Sequence, residues 1–231
     1  MFVTTEALVL SKLNYSETSL IVRCYTRSEG IKSYILKGIK SGCNGKKNTA
    51  LFQPLTQLEI TAQHKNKAGL SIPKTTKLSK PYQTIPYSMD KLAVVLFLSE
   101  VLNSALREEE ANASLFEFLI HSLAWFDTHD YSANFHVFFL ISLSKHLGFY
   151  PDVSEQNLPY FDLENGCFTA EKYVHVESEE SIVLLLKSFL GTKFDGMSQI
   201  LMSSSQRQQM LDVLMRYYQC HLQGFSMPKS L

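Results

Sequence analysis

The chain has 231 residues, of which 45% are apolar and 12% aromatic, and its formal charge at pH 7 is zero. This composition is typical of a globular protein with a hydrophobic core and excludes a disordered chain. No apolar run approaches the roughly 18 residues that span a bilayer, and the N-terminus lacks a basic signal-peptide segment. The four cysteines form no CxxC pair, so we expect free thiols, as in a cytosolic protein.

The zero net charge hides a strong asymmetry along the chain. Residues 1–81 contain 13 lysines and arginines against 4 acidic residues, a formal charge of +9. Residues 82–231 contain 9 against 18, a formal charge of −9. Such a division indicates a nucleic-acid-binding module joined to a different one.

The first 81 residues have the pattern of short β-strands. Alternating or β-rich runs predict strands at Glu6–Leu13, Ser19–Thr26, Ile31–Leu36 and Thr56–Gln63, followed by a short segment that runs into Lys74–Lys80. A turn at Arg27–Gly30 joins the second and third strands, because Gly30 can adopt a positive φ. Short strands with Gly-rich connections predict a small β-barrel, an OB-fold.

Helical patterns follow Pro81 and Pro86. The predicted helices are Lys91–Leu106, Leu115–Phe126, Asn134–Leu147, Ser178–Leu190 and Gln206–Gln223. The first is apolar on nearly all sides, so we expect it to be buried. Residues 151–175 are predicted to be irregular, with a small hairpin around Asn165-Gly166. The sequence thus predicts a multidomain α+β protein, with an OB-fold nucleic-acid-binding domain at 1–81 and an all-α domain at 82–231.

Basic residues concentrated in the predicted strands and loops are candidates for binding phosphates. They are Arg23, Arg27, Lys32, Lys37, Lys40, Lys46, Lys47, Lys65 and Lys67. The alternative is a merely solvated basic face. Alternation places Arg23 with Tyr25, and Lys32 with Tyr34, on strand faces that could be shared. The two tyrosines could stack on bases, although strand tyrosines are commonly half-buried packing residues.

Motifs for metal binding and catalysis are missing from the sequence. Cys167 has no neighbouring cysteine, and His136 and His146 are ten residues apart, a spacing that does not place them on one helical face. The chain contains no phosphate-binding GK[ST] loop, no GxSxG and no HExxH. We therefore predict a protein without enzymatic activity, metal or cofactor.

Several segments together resemble the bacterial RecO family of DNA recombination mediators. They read ALVLSKLNYSETSLIVRCYTRSEG, LKGIKS, FQPLTQLEI, LGFYPD and, near the end, PKSL. Each motif alone is weak, so the resemblance rests on their combination over most of the chain. It implies an N-terminal OB-fold followed by a helical domain.

The resemblance also implies a function in DNA repair and recombination. It implies binding to single- and double-stranded DNA, annealing of complementary strands, and association with RecR to help load the recombinase RecA onto DNA coated with single-strand DNA-binding protein. Some relatives bind the C-terminal tail of that protein in a groove of the helical domain. We expect a cytoplasmic, nucleoid-associated protein with no membrane partner.

Two features of the family bear on particular residues. Its basic KG-x-[RK] element falls on Lys37, Gly38 and Lys40, which become candidates for contacting DNA. Some relatives hold a four-cysteine zinc module after the LGFxPD segment, where this chain has only Cys167. We therefore predict no zinc.

Two other classes of function fit the same residues. A basic barrel could bind an acidic protein partner as an adaptor, or it could bind RNA, because an OB-fold with cationic loops suits either nucleic acid.

Overall fold

The computed structural model describes residues 1–41, 49–63, 69–107 and 110–230. The chain forms two compact units, one of Met1–His129 with Pro228–Leu231 and one of Asp130–Met227. The first unit therefore includes helices that follow residue 81. The domain boundary predicted at that residue stays a prediction. Within the described part of the chain, no helix is long and apolar enough to cross a membrane.

A mixed β-sheet forms most of the first unit. Its strands are β1 (Val3–Asn14), β2 (Leu20–Thr26), β3 (Gly30–Leu36), β4 (Gln57–Ala62), β5 (Leu70–Ser71) and β6 (Pro73–Lys80). They lie in the order β5-β3-β2-β1-β4-β6, and all neighbours are antiparallel except β3 and β5. A bulge between Val9 and Ser11 interrupts the pairing of β1 with β2 and increases the local bend and twist.

The predicted order of a β-rich part followed by a helical part is confirmed. The hairpin at Arg27–Gly30 is present, with Thr26 paired to Gly30 and Gly30 at a φ of 63°. Among the described residues the sheet does not close on itself, because β5 and β6 are its two edges and do not pair with each other. The sheet is consistent with an open OB-type arrangement.

Around the middle of β1, β2 and β3 both faces of the sheet are largely buried, but against different partners. One face forms a core that includes Leu20, Val22, Cys24, Tyr34 and Leu36, together with Phe52 from the following loop. Tyr34 lies on this face because it pairs directly with Val22. Arg23 pairs with Ser33 and lies on the other face. The expectation that Arg23 and Tyr25 share a face with Lys32 and Tyr34 is therefore wrong, since the register of β2 and β3 separates them.

Two helices complete the first unit, α1 (Met89–Ala105) and α2 (Ala113–Thr128). Ser88 caps α1 by accepting a hydrogen bond from the Lys91 N–H, and α1 packs against β1. The prediction that this helix is buried on nearly all sides is wrong in part. Met89, Leu92 and Leu96 are 82%, 39% and 46% exposed, and their spacing places them along one side of the helix.

The segment that leads from the sheet to α1 is fastened to the end of α2 by Asp127. Its carboxylate accepts hydrogen bonds from the N–H groups of Gln83, Thr84 and Ile85, at 2.7, 2.8 and 3.0 Å. Burial would raise the pKa of this carboxyl, but these bonds and the Thr84 hydroxyl outweigh burial, and the pKa is lowered. The buried Lys91 ammonium donates to the Thr84 hydroxyl at 2.7 Å and to the His129 carbonyl at 2.6 Å.

The second unit contains helices and a small sheet. The helices are α3 (Phe135–His146), α4 (Glu180–Phe189) and α5 (Ser204–His221), and the strands are β7 (Tyr160–Asp162), β8 (Cys167–Thr169) and β9 (Val176–Glu177). The region predicted to be irregular, 151–175, therefore holds β7 and β8, which form a three-stranded sheet with β9 in the order β8-β7-β9. The predicted hairpin is confirmed, because β7 and β8 pair on either side of Asn165-Gly166.

Aromatic side chains of α5 join this small sheet to α3. The Tyr217 hydroxyl donates to the Phe149 carbonyl at 2.5 Å, and the Tyr218 hydroxyl donates to the Leu140 carbonyl at 2.7 Å. The hairpin approaches Tyr217 so closely that a Cβ atom on Gly166, whose φ is +66°, would lie 2.7 Å from the Tyr217 hydroxyl oxygen.

We expect Gly166→Ala to lower the free energy of unfolding by about 2–4 kcal/mol, because it adds a steric clash to the cost of a left-handed backbone. Gly191→Ala is the matched control, since Gly191 has a φ of +76° but no atom within 4 Å of its Cβ position. Denaturant unfolding of both variants checks this. Equal losses in the two would contradict the close packing at Tyr217.

We expect Asp127→Asn to cost about 2–4 kcal/mol at pH 7, because three backbone donors lose a charged acceptor. The folded-state pKa lies below the unfolded value of about 3.9, so the carboxylate stabilises the fold above that pH and its contribution is lost as the pH falls further. The difference in free energy of unfolding between the wild type and Asp127→Asn should therefore decrease as the pH is lowered from 7 to 3. Asp130→Asn, at an exposed position, is the control, and an effect as large there would contradict the assignment.

Candidate nucleic-acid interface

One end of the large sheet brings together segments that are distant in sequence. The register pairs Asn14 with Leu20 and Leu20 with Leu36, so these residues lie side by side on β1, β2 and β3. The loop between β1 and β2 and the segment that leaves β3 therefore emerge at the same end. The first carries Tyr15, and the second carries Lys37 and Lys40.

Lys40 joins these two segments. Its ammonium donates to the Ser16 carbonyl at 3.3 Å, and its backbone N–H donates to the Thr18 carbonyl at 3.1 Å. The chain can turn back between them because Gly38 has a φ of +70°, a conformation that glycine adopts without strain. The Gly38 carbonyl accepts a hydrogen bond from the Ser41 N–H at 3.0 Å.

Four side chains at this end form a candidate interface, which we call the loop-end cluster: Lys12, Tyr15, Lys37 and Lys40. The Lys12 ammonium donates to the Gln53 side-chain oxygen at 3.0 Å, and partial burial lowers its pKa. Lys37 is exposed and makes no hydrogen bond or ion pair with any residue of the described ranges. Glu17, also exposed, is the acidic residue of the β1–β2 loop.

Arg23 is committed to the end of helix α1. Its guanidinium donates to the Asn103 carbonyl at 2.5 Å, to the Asn103 side-chain oxygen at 2.8 Å and to the Leu106 carbonyl at 2.7 Å. The last carbonyls of a helix have no partner within the helix, and a cation suits its C-terminus. Burial, with a further contribution from Arg107, lowers the pKa of Arg23. These contacts give Arg23 a structural role.

Arg27 is also engaged by carboxylates of its own unit. Its side chain forms ion pairs with Glu6 at 2.8 Å and Glu117 at 2.6 Å. Its guanidinium carbon lies 5.3 Å from the centre of the Phe116 ring. The Arg27 guanidinium thus already has two carboxylates and an aromatic ring as partners within its own unit.

The tyrosines selected from the sequence for base stacking are both buried. Tyr25 is 3% exposed, donates from its hydroxyl to the Asn112 carbonyl at 3.2 Å, and has its ring centre 6.0 Å from that of Phe116. Tyr34 is 1% exposed within the core of the sheet. Burial raises the pKa of Tyr34. Neither ring presents a face to a base in this arrangement.

Of the remaining candidates from the sequence, only Lys32 lies among the described residues. Lys32 is half-buried and pairs with Cys24, towards the hairpin at the opposite end of β3. Lys46, Lys47, Lys65 and Lys67 lie outside the described residues.

The structure adds residues that the sequence alone did not single out. Lys12 and Tyr15 belong to the loop-end cluster, and Lys74, Lys77 and Lys80 are exposed on β6, an edge of the sheet. The Lys74 ammonium lies 5.2 Å from the centre of the Phe2 ring. The signal for Tyr15 was its place between the first two strands, because that loop of an OB-fold takes part in binding oligonucleotides.

The described ranges contain no cluster of three or more His, Cys, Asp or Glu side chains that could hold a metal ion. Cys167 lies beside Asp162, whose carboxylate instead accepts hydrogen bonds from the backbone N–H groups of Glu164 and Asn165 at 2.9 and 3.2 Å. Burial would raise the pKa of Asp162, but these bonds and those from the Tyr173 hydroxyl and the Asn165 side chain lower it. Hydrogen bonds to one carboxylate hold this turn together.

Comparison with known proteins places the whole chain in one family. Residues 1–82 match the family model described as Recombination protein O N terminal, and residues 86–231 match Recombination protein O C terminal. The chain is 46% identical to the DNA repair protein RecO of Flavobacterium johnsoniae over 231 residues, which cover 100% of the chain and 97% of that protein. It is 42% identical to the protein of the same name from Christiangramia forsetii, with the same coverage. The chain therefore belongs to the RecO family.

Proposed function

We propose that this chain is a DNA-binding recombination mediator in DNA repair. It binds single- and double-stranded DNA, anneals complementary strands and acts with RecR to help load the recombinase, without catalysing a reaction itself. Family membership, with relatives named DNA repair protein RecO over the full chain, supports the role in repair and recombination. The lysines of the loop-end cluster, of which Lys12 and Lys37 are exposed and Lys40 is half-buried, are the structural observation that carries the binding of DNA.

Phosphates are the part of DNA that this surface suits. Lys37 and Lys40 stand at one end of the sheet with Lys12, in a part of the chain with a formal charge of +9. Lysines that neutralise phosphates release counterions, so binding of this kind is independent of sequence and weakens with salt. Lys46 and Lys47 follow in the chain and are proposed as further contacts on their charge alone.

Annealing follows from the same electrostatics. Two complementary strands repel each other through their phosphates, and bound lysines reduce that repulsion while leaving base edges free to pair. Base pairing then supplies the driving force. The arginines of the sheet take no part in this mechanism, because Arg23 and Arg27 hold helices α1 and α2.

The partners belong to the same proposal. We assign DNA contacts to residues 1–81 and contacts with RecR and the C-terminal tail of single-strand DNA-binding protein to residues 82–231, whose formal charge is −9. An acidic surface repels DNA, which favours its use for proteins. The recombinase RecA is then reached indirectly, and the site of action is the cytoplasm at the nucleoid.

The test replaces Lys37 and Lys40 together by glutamate. We expect the double variant to bind a labelled single strand at least about tenfold more weakly at low salt, because two phosphate contacts become repulsive. Its annealing of complementary strands should slow in parallel. Fluorescence anisotropy and a strand-annealing assay measure the two effects.

The matched control is Lys172→Glu with Lys193→Glu, which changes the charge equally at two exposed positions of the second unit. We expect binding close to that of the wild type, and thermal unfolding little changed in either double variant. Equal weakening in the two pairs would show that only net charge matters and would contradict a site at the loop-end cluster. Failure of the wild type to bind any DNA at low salt would contradict the proposed function.

A further inference from the structure

We propose that Tyr15 stacks on a base of single-stranded DNA while Lys37 and Lys40 hold neighbouring phosphates. This inference rests on the proposed function and names the residue that distinguishes single strands from duplexes. It replaces the buried tyrosines of the strands with an exposed tyrosine of the β1–β2 loop.

Exposure sets Tyr15 apart from the other tyrosines of the sheet. It is 61% exposed, whereas Tyr25 and Tyr34 are 3% and 1% exposed. Its side chain makes no hydrogen bond or ring contact with a described residue, so the ring has no evident structural task in that part of the chain. A large aromatic side chain left in solvent beside lysines is the arrangement of a single-strand-binding surface.

The backbone that carries Tyr15 is held in place. The Tyr15 and Ser16 N–H groups donate to the Ser19 carbonyl at 3.1 and 3.4 Å, which closes the loop. Lys40 then ties the loop to the segment after β3 through the carbonyls of Ser16 and Thr18. A ring on a fixed loop loses little conformational entropy when a base covers it.

The neighbourhood supplies both kinds of contact that a nucleotide needs. Leu13, the last but one residue of β1 and two residues before Tyr15, is 65% exposed and adds apolar surface to this end of the sheet. The Lys40 ammonium lies 3.3 Å from the carbonyl oxygen of Ser16, the residue that follows Tyr15. A cation therefore lies against the backbone of the residue next to Tyr15, where a phosphate flanking a stacked base could be bound.

Other exposed rings of the same unit fit less well. Phe2 is 53% exposed, but the Lys74 ammonium lies over its ring, 5.2 Å from the ring centre. One face of the Phe2 ring is therefore already covered. Tyr87 is 87% exposed in the segment before α1, where Asp90 and not a lysine is the nearby exposed charge. Tyr15 is the ring that combines exposure with a fixed loop and adjacent lysines.

The experiment moves the single tryptophan of the chain to this position. The sequence contains one tryptophan, Trp125, so Trp125→Phe with Tyr15→Trp gives a protein whose fluorescence reports on residue 15 alone. We expect an oligonucleotide of single-stranded DNA to quench this fluorescence, because the indole stacks on a base. A blunt duplex of the same sequence should bind with little quenching, since its bases are already stacked. The control is Tyr87→Trp with Trp125→Phe, in which Tyr15 is kept. Neither the single strand nor the duplex should quench its fluorescence.

Affinity provides the second measurement. We expect Tyr15→Ala to weaken binding of the single strand about tenfold and binding of the duplex less than about twofold, with Tyr15→Phe close to the wild type. On an abasic strand, wild type and Tyr15→Ala should bind alike, because no base is present to stack.

The outcomes separate this inference from the proposed function. Binding of the single strand without quenching, or equal losses on single strand, duplex and abasic strand in Tyr15→Ala, would overturn the stacking role and leave the lysines as the DNA site. Failure of the wild type to bind any of the three would overturn the proposed function itself.

Discussion

The contact between Arg23 and the end of helix α1 determines which surfaces of the first unit remain available for binding a ligand. Its guanidinium binds the carbonyls of Asn103 and Leu106, while Ser11 on β1 donates to the Asn103 side chain at 3.0 Å. These bonds satisfy acceptors that a helix end leaves without partners, in a setting where an unmade bond is costly. They fix one face of the sheet against a helix. The core around Val22 and Tyr34 fills the opposite face. The ends and edges of the sheet therefore remain available to a ligand.

The position of the loop-end cluster follows from that constraint. An OB-type sheet can bind an oligonucleotide over a strand face or at its loops, and here protein side chains cover both faces around the middle of β1, β2 and β3. The register then brings the β1–β2 loop with Tyr15 and the exit of β3 with Lys37 and Lys40 to one end, where Lys40 binds the Ser16 carbonyl. Asp127 and Lys91 fasten the following segment to α2, which keeps the helices against the sheet. The same packing that stabilises the unit thus separates structural cations from available ones.

The sequence predicted the elements well because alternation and turn residues are local properties. The hairpin at Gly30 and the turn at Gly166 both depend on nearby residues. It could not predict whether Arg23 and Arg27 are available, because their partners Asn103 and Glu117 lie about 80 residues or more further along the chain. The pairing of Tyr34 with Val22 required a register, which alternation alone does not fix. The exposure of Leu92 and Leu96 could not be foreseen either, since an apolar composition on all sides does not say which side lacks a partner.

The most direct test measures how the affinity for a single strand of DNA depends on salt in two variants. One variant replaces the loop-end lysines Lys37 and Lys40, and the other replaces Arg23. The account predicts that replacing Lys37 and Lys40 by glutamine makes the plot of log affinity against log salt shallower by about 1.4, because two phosphate contacts are lost. Arg23→Gln should leave the slope of the wild type, although it destabilises the fold, when measured at a temperature where the protein remains folded. The opposite pattern, with the slope reduced by Arg23→Gln and unchanged by the lysine variant, would contradict the assignment of Arg23 to the fold and of the loop-end lysines to DNA.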